Sequence, residues 1–319
     1  AGENRYAADQ SNFSKIPGSP VAYWVSSRAI NCYVMMEKTG DHGDGRIGLI
    51  TGDADRFLRL WHEVRLNRIG FGIQSNEESI QSGRRWFPAQ KGGEFRRWYG
   101  NTVYVVNWEN DGYEMKFDNF MGTRVRSHNY NGEYGFKKAI TWTTISSSNF
   151  ACRYSEDGFI YDTAGPFIHL NKDSEIAPIL AFLNSIVADF YLKIMNPTIN
   201  FPPGYIQSIP FSECIISKDI EDVSVECVAL SKADWDFYET SWDFKAHPLI
   251  RWNRSLGDAT SIGATIQYYY GKHVPASCPL ELCYLLRKGE CNKRFEKLKS
   301  NEEELNRIFI DIYGLQDEL

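Results

Sequence analysis

The strongest constraint on how this chain can fold is one apolar segment just past its middle, EIAPILAFLNSIVADFYLKIM, from Glu175 to Met195. Ile179, Phe182, Leu183, Ile186, Val187, Phe190 and Tyr191 recur at the spacing of one helix face, which predicts a helix burying a broad stripe. Asn196-Pro197 stops it, since proline lacks an amide hydrogen and restricts the residue before it. A helix this apolar needs a sheet or other helices to cover it, and the flanking sequence supplies both. From 47 to about 210 the chain reads as short β-rich runs such as TVYVVNW, AITWTTI and GFIYDTAG, punctuated by Gly, Asn and Asp. After Phe211 an acidic, Trp-bearing segment, ADWDFYETSWDF, leads through a polar loop to a helical pattern from Leu280 to Leu319. There Phe295, Leu298, Leu305, Ile308, Phe309, Ile312 and Leu315 share a face.

The expectation is an α+β protein in three parts. Residues 1–46, with the turn signal IPGSP and one short helix in VAYWVSSRAINCYVMM, form a connector. Residues 47–212 form a β-rich domain with packed helices, and 213–319 a mainly helical region. At 319 residues and 43% hydrophobic composition, a sizeable core can be filled. No apolar run approaches the ~18 residues of a membrane span, and the start has no charged and apolar signal pattern. A cytoplasmic, non-membrane protein is expected. The first residue is Ala1, which fits part of a longer polypeptide.

Several catalytic lookalikes fail on order or company. Gly70-Phe71-Gly72 is a lone GxG, too little for a cofactor turn. Asn196-Pro197-Thr198-Ile199 and Phe201-Pro202-Pro203-Gly204-Tyr205 hold pieces of the Asn/Asp-Pro-Pro-aromatic tetrapeptide of amino-methylating enzymes, in broken order. Asp53 and Asp55 lack a third carboxylate for a hard cation, so helix capping is the expected role. The six His show no HExxH pattern, the seven Cys no CxxC pair, and Ser146-Ser147-Ser148 lies in no GxSxG context. No catalytic, cofactor-binding or metal site is expected in this sequence.

The net charge of −6 hides an asymmetry. Between Arg84 and Lys138 ten Lys/Arg face six Asp/Glu, so that window is +4 and the remainder −10. Cations are what phosphates require, and two segments concentrate them. GRRWFPAQKGGEFRRWYGN places Arg84, Arg85, Lys91, Arg96 and Arg97 among aromatics including Trp98. It reads equally as a phosphate- and guanine-contacting loop or as a basic loop with its aromatics tucked into the core. TRVRSHNYNGEYGFKK offers Arg124, Arg126, Asn129, Lys137 and Lys138, side chains that read base edges or decorate a polar hairpin.

Longer phrases go further: SKIPGSPVAYWVS, GLITGDADRFLRLWHEV, WFPAQKGGEFRRWYGN, AITWTTISSSNFACRY, FLNSIVADFYLKIMNPTINFPPGYIQSIPF and NEEELNRIFIDIYGLQDEL. In this order they resemble the region after the catalytic domain in the adenine-N6 DNA methyltransferases of type 1 BREX phage-defence systems. The resemblance implies that 47–212 is a target-recognition domain gripping double-stranded DNA. The upstream methyltransferase domain, outside this sequence, would use S-adenosylmethionine as methyl donor, and this chain alone would be inactive and hold no cofactor. Arg84, Arg85, Arg96 and Arg97 would act on phosphates, and Arg124 and Arg126 on bases. Other BREX subunits and DNA-mimic phage inhibitors are further candidate partners. The alternative reading is a protein-interaction scaffold, with ADWDFYETSWDF and the terminal helices docking defence subunits.

Overall fold

The computed structural model describes residues 9–117, 124–250 and 279–319. It is an α+β structure in which two four-stranded sheets and a two-stranded ribbon are packed with helices. The first sheet runs in the order β2 (Gly43–Arg46), β9 (Phe167–Leu170), β6 (Ala139–Trp142), β7 (Cys152–Ser155), and every pairing in it is antiparallel. The second runs β3 (Leu58–Leu60), β5 (Tyr104–Asn107), β4 (Trp86–Gln90), β8 (Ile160–Tyr161), with β4 and β8 parallel. The ribbon joins β1 (Glu37–Lys38) to β10 (Pro210–Phe211) and so ties the early chain to the end of the β-rich region.

The strand-like runs of the sequence become β5, β6 and β8. All four residues of β6 are buried, so this strand does not alternate: both its faces are covered. Proline is unusual inside a central strand. Pro88 is accommodated in β4 because β8 joins only at Ala89 and Gln90, and on that side Trp86 meets Ile69 instead.

The apolar segment forms two helices, not one. After α1 (Ser27–Met35), α2 (Ala54–Phe57), α3 (Asn76–Gln81) and α4 (Glu109–Lys116) come α5 (Ile176–Leu183) and α6 (Ile186–Met195), bent by 74°. Asn184 causes the break. Its side chain donates to the Cys152 carbonyl and accepts from the Cys152 amide, each at 3.0 Å, so it pairs with β7 as a strand residue would. Ser185 then caps the new helix by accepting from the Ala188 amide at 3.2 Å. Met195 ends α6, with Asn196 as its cap, where the Asn-Pro pair predicts a stop. No single helix among the described residues is long and apolar enough to cross a membrane.

The largest core gathers around α5 and α6 and takes side chains from Ile16 to Leu315. Beyond α7 (Pro203–Gln207), the helices α8 (Lys218–Trp235) and α9 (Pro279–Tyr313) cover it. The α9 side chains that reach this core include Leu305, Phe309 and Tyr313, while Phe295 is exposed. Gly314, at a φ of +62°, ends α9 in the left-handed conformation typical of the residue after a helix. A second, smaller core of Phe57, Leu58, Phe87, Val106, Trp108, Met115 and Phe136 lies against the second sheet.

Candidate nucleic-acid interface

One end of the second sheet collects cations from four separate stretches of sequence. There β3 begins, β4 begins and β5 ends, because Leu58 pairs with Val106 and Trp86 with Asn107. The Arg85 amide donates to the Arg68 carbonyl at 3.2 Å, which brings Arg68 beside Arg84 and Arg85. Glu114 of α4 is the local anchor, accepting from Arg56 at 2.7 Å, Asn107 at 2.9 Å and Arg85 at 3.2 Å. The hydrogen bond from Arg56 holds the Glu114 carboxyl below its usual range.

The turn that opens α4 explains its shape. Asn110, Asp111 and Gly112 are all left-handed, with φ of 50°, 61° and 65°, a run that these three residue types tolerate best. Asp111 is fixed there by Asn76 at 2.8 Å and Lys116 at 2.7 Å. Behind the turn, Tyr113 and Phe117 stand 63% and 62% exposed with ring centroids 4.8 Å apart. An exposed aromatic pair beside arginines is a surface on which a base or another flat group can stack.

The 124–130 stretch joins the same end. His128 and Ile50 exchange backbone hydrogen bonds, and Ser127 donates to the Met115 carbonyl at 2.6 Å. Arg126 pairs with Asp53 at 3.3 Å. Gly52, at a φ of +72°, lies so close that an added Cβ would stand 2.7 Å from the Arg126 backbone. The carboxylate of Asp53 also caps α2, as its sequence context predicts, accepting from the Arg56 amide at 3.2 Å. Arg124 and Asn129 are exposed.

The other expected contact residues lie elsewhere. Lys91 sits 5.2 Å above the Tyr104 ring, towards the opposite end of the sheet. Lys138 pairs with Asp173 at 3.1 Å, which raises its pKa, and Lys137 sits 5.5 Å from the Tyr134 ring. Arg96 stacks over Trp235 at 4.8 Å. Arg97 pairs with Glu302 of α9 at 3.0 Å, and Trp98 donates its indole N–H to the same carboxylate at 2.7 Å. Trp98, one of the expected DNA-contact residues, is only 2% exposed and belongs to the main core, so of the two readings of its segment the one with the aromatics tucked into the core holds for Trp98. The Arg96-Arg97-Trp98 run therefore fastens the β-rich region to α8 and α9. Glu302→Ala leaves Trp98 Nε1 and Arg97 without their acceptor and is expected to lower stability by about 1–3 kcal/mol, read by denaturant unfolding.

Sequence reasoning overlooked Arg65 and Arg68, which precede the basic window, and the Tyr113/Phe117 pair, whose i, i+4 spacing reads as a core stripe. The side chains of Arg65, Arg68, Arg84 and Arg124 are exposed and have no hydrogen-bonding or ionic partner among the described residues. Among the described residues, no group of three or more His, Cys, Asp or Glu could hold a metal ion. The Gly70-Phe71-Gly72 loop packs against Trp242, with the Phe71 and Trp242 rings 5.2 Å apart.

No protein-family model matches this sequence. It is 38% identical, over 98% of its length, to "Adenine-specific methyltransferase PglX" of Lacticaseibacillus casei (strain Zhang). It is 32% identical, over 97% of its length, to "Adenine-specific methyltransferase BrxX" of Escherichia coli O9:H4 (strain HS). The matches occupy 24% and 22% of those proteins. The chain is therefore similar to one region of the PglX and BrxX adenine-specific methyltransferases, and it spans about a quarter of the length of the curated relatives it matches.

Proposed function

We propose that this chain is a DNA-recognition segment of an adenine-N6 DNA methyltransferase, choosing the site at which a catalytic domain elsewhere in the polypeptide acts. The observation that supports it most is the convergence at one sheet end of Arg68, Arg84, Arg85 and Arg124 with the exposed Tyr113/Phe117 pair. Arg68, Arg84 and Arg124 are exposed and have no acidic partner among the described residues, and such guanidiniums meet phosphates and guanine edges at little desolvation cost, while Arg85 is held in place by Glu114. Residues 47–212 carry this surface and form the recognition domain. Arg68, Arg84 and Arg85 grip backbone phosphates, Arg124 and Arg126 face base edges, and Asn129 flanks them. S-adenosylmethionine would be bound by the catalytic domain, and the target adenine has to leave the base stack to reach it.

The scaffold reading has less to stand on, because the acidic Trp-bearing segment folds back within the chain. Trp235 is buried beneath Arg96, Trp242 packs on Phe71 and Phe159, and the Thr240 carbonyl accepts from the Trp61 indole at 2.9 Å.

Duplex binding followed by fluorescence anisotropy tests the proposal. Tyr113→Ala with Phe117→Ala is expected to weaken binding about tenfold, on the scale of one to three kcal/mol per stacked base. The melting temperature should stay within a degree or so of the parent, since both rings are exposed. Unchanged affinity would remove the aromatic pair from the interface.

A further inference from the structure

The second residue of β7, Arg153, is 1% exposed, and its guanidinium has no carboxylate partner among the described residues. Its Nε and Nη2 are buried and make no hydrogen bond. Arg153 points to the face of β7 opposite Cys152, whose thiol turns to the Leu180 carbonyl in the main core. After burial and the adjacent Cys152 side chain, the next group acting on it is another cation, Arg96. Burial lowers the Arg153 pKa to about 10, so the group stays cationic at neutral pH. A buried, unpaired charge is among the costliest features a fold can carry, and this one requires an anion.

Arg153 lines a narrow cleft between the Glu94–Arg96 loop and the loop that carries Thr143, Ser146 and Asn149. Ser146 accepts from the Ser148 amide, so its hydroxyl hydrogen remains free to donate. Thr143 donates to the Gly93 carbonyl. The cleft has room for about one water-sized sphere, too little for a tetrahedral phosphate or sulfate, and a monatomic halide enters it only as the two flanking loops give by a few tenths of an ångström. Water would satisfy the N–H groups but leave the charge. Glu94, the carboxylate on the cleft wall, is exposed and makes no ion pair with Arg153.

We infer that this cleft is a halide site, in which a chloride-sized anion sits against Arg153 with Ser146 and Asn149 as further donors. The site lies apart from the Arg68/Arg84 surface and does not depend on the DNA reading. The anion neutralises the buried cation and fastens the 93–96 and 143–149 loops together.

Melting the 319-residue chain in sodium chloride and in sodium gluconate at equal ionic strength reads this directly. The melting temperature is expected to rise by about 2 °C in chloride, and Arg153→Met to abolish that increment. Glu94→Gln is expected to leave the increment in place. Crystals soaked in bromide should show an anomalous peak against the Arg153 guanidinium, a readout on the parent chain that holds even if Arg153→Met fails to fold. A chloride-independent melting temperature, or a cleft holding only water, would overturn the inference. So would a chloride response confined to Glu94→Gln, which would make Glu94 the counter-ion.

Discussion

Phe182→Ala is expected to cost about 3–5 kcal/mol, the range for removing a large buried aromatic, and to lower the melting temperature by about 4–8 °C at this chain length. Phe182 is fully buried on α5, where its ring meets Phe211 of β10 at 5.7 Å and Phe309 of α9 at 5.8 Å. It also stacks with Tyr313 at 5.6 Å and 4°. One side chain therefore holds the ribbon, the broken helix and the terminal helix together. Tyr313 donates to the Pro210 carbonyl at 2.7 Å and has its own hydrogen bond to retain its position, so the cavity is not expected to collapse fully. Calorimetry of the variant checks this; a loss below one kcal/mol would mean that α9 is not seated on α5 in solution.

The second large effect concerns binding. Arg68→Ala with Arg84→Ala is expected to weaken duplex binding roughly tenfold or more, whatever the sequence of the duplex. The slope of log affinity against log salt should become shallower by about 1.8, at about 0.9 per phosphate contact. Arg124→Ala should behave differently, with little change in slope and a loss of about 1–3 kcal/mol in discrimination between the preferred duplex and a mismatched one. Anisotropy titrations at several salt concentrations separate the two. Equal slopes for the parent and the double variant would mean that the arginines at this sheet end do not meet the backbone.

How much was legible beforehand follows from the range of the interactions involved. The helix periodicity of 175–195 is local and was readable. The break at Asn184 was not, because its partner, Cys152, lies 32 residues away in sequence. The strands β5, β6 and β8 announced themselves by composition, and the α+β class with them. The basic, aromatic run Arg96-Arg97-Trp98 looked like a binding loop because its acceptor, Glu302, is 204 residues from Trp98. Arg68 lay outside the basic window and enters the surface only through its backbone contact with Arg85. Tyr113 and Phe117 have the spacing of a core stripe, and only the left-handed turn before them turns that stripe to solvent. The segment 124–138 was divided by folding: Arg126 pairs with Asp53 beside the sheet end, while Lys138 pairs with Asp173.

The measurement that tests the central claim most directly is a segment exchange. Residues 47–212 are swapped between two methyltransferases of this kind that mark different sites, and the methylated adenines in the host genome are read by single-molecule sequencing. The methylated sequence is predicted to follow the exchanged segment. A methylated sequence that stays with the rest of the polypeptide, in a chimera that still methylates, would contradict the account.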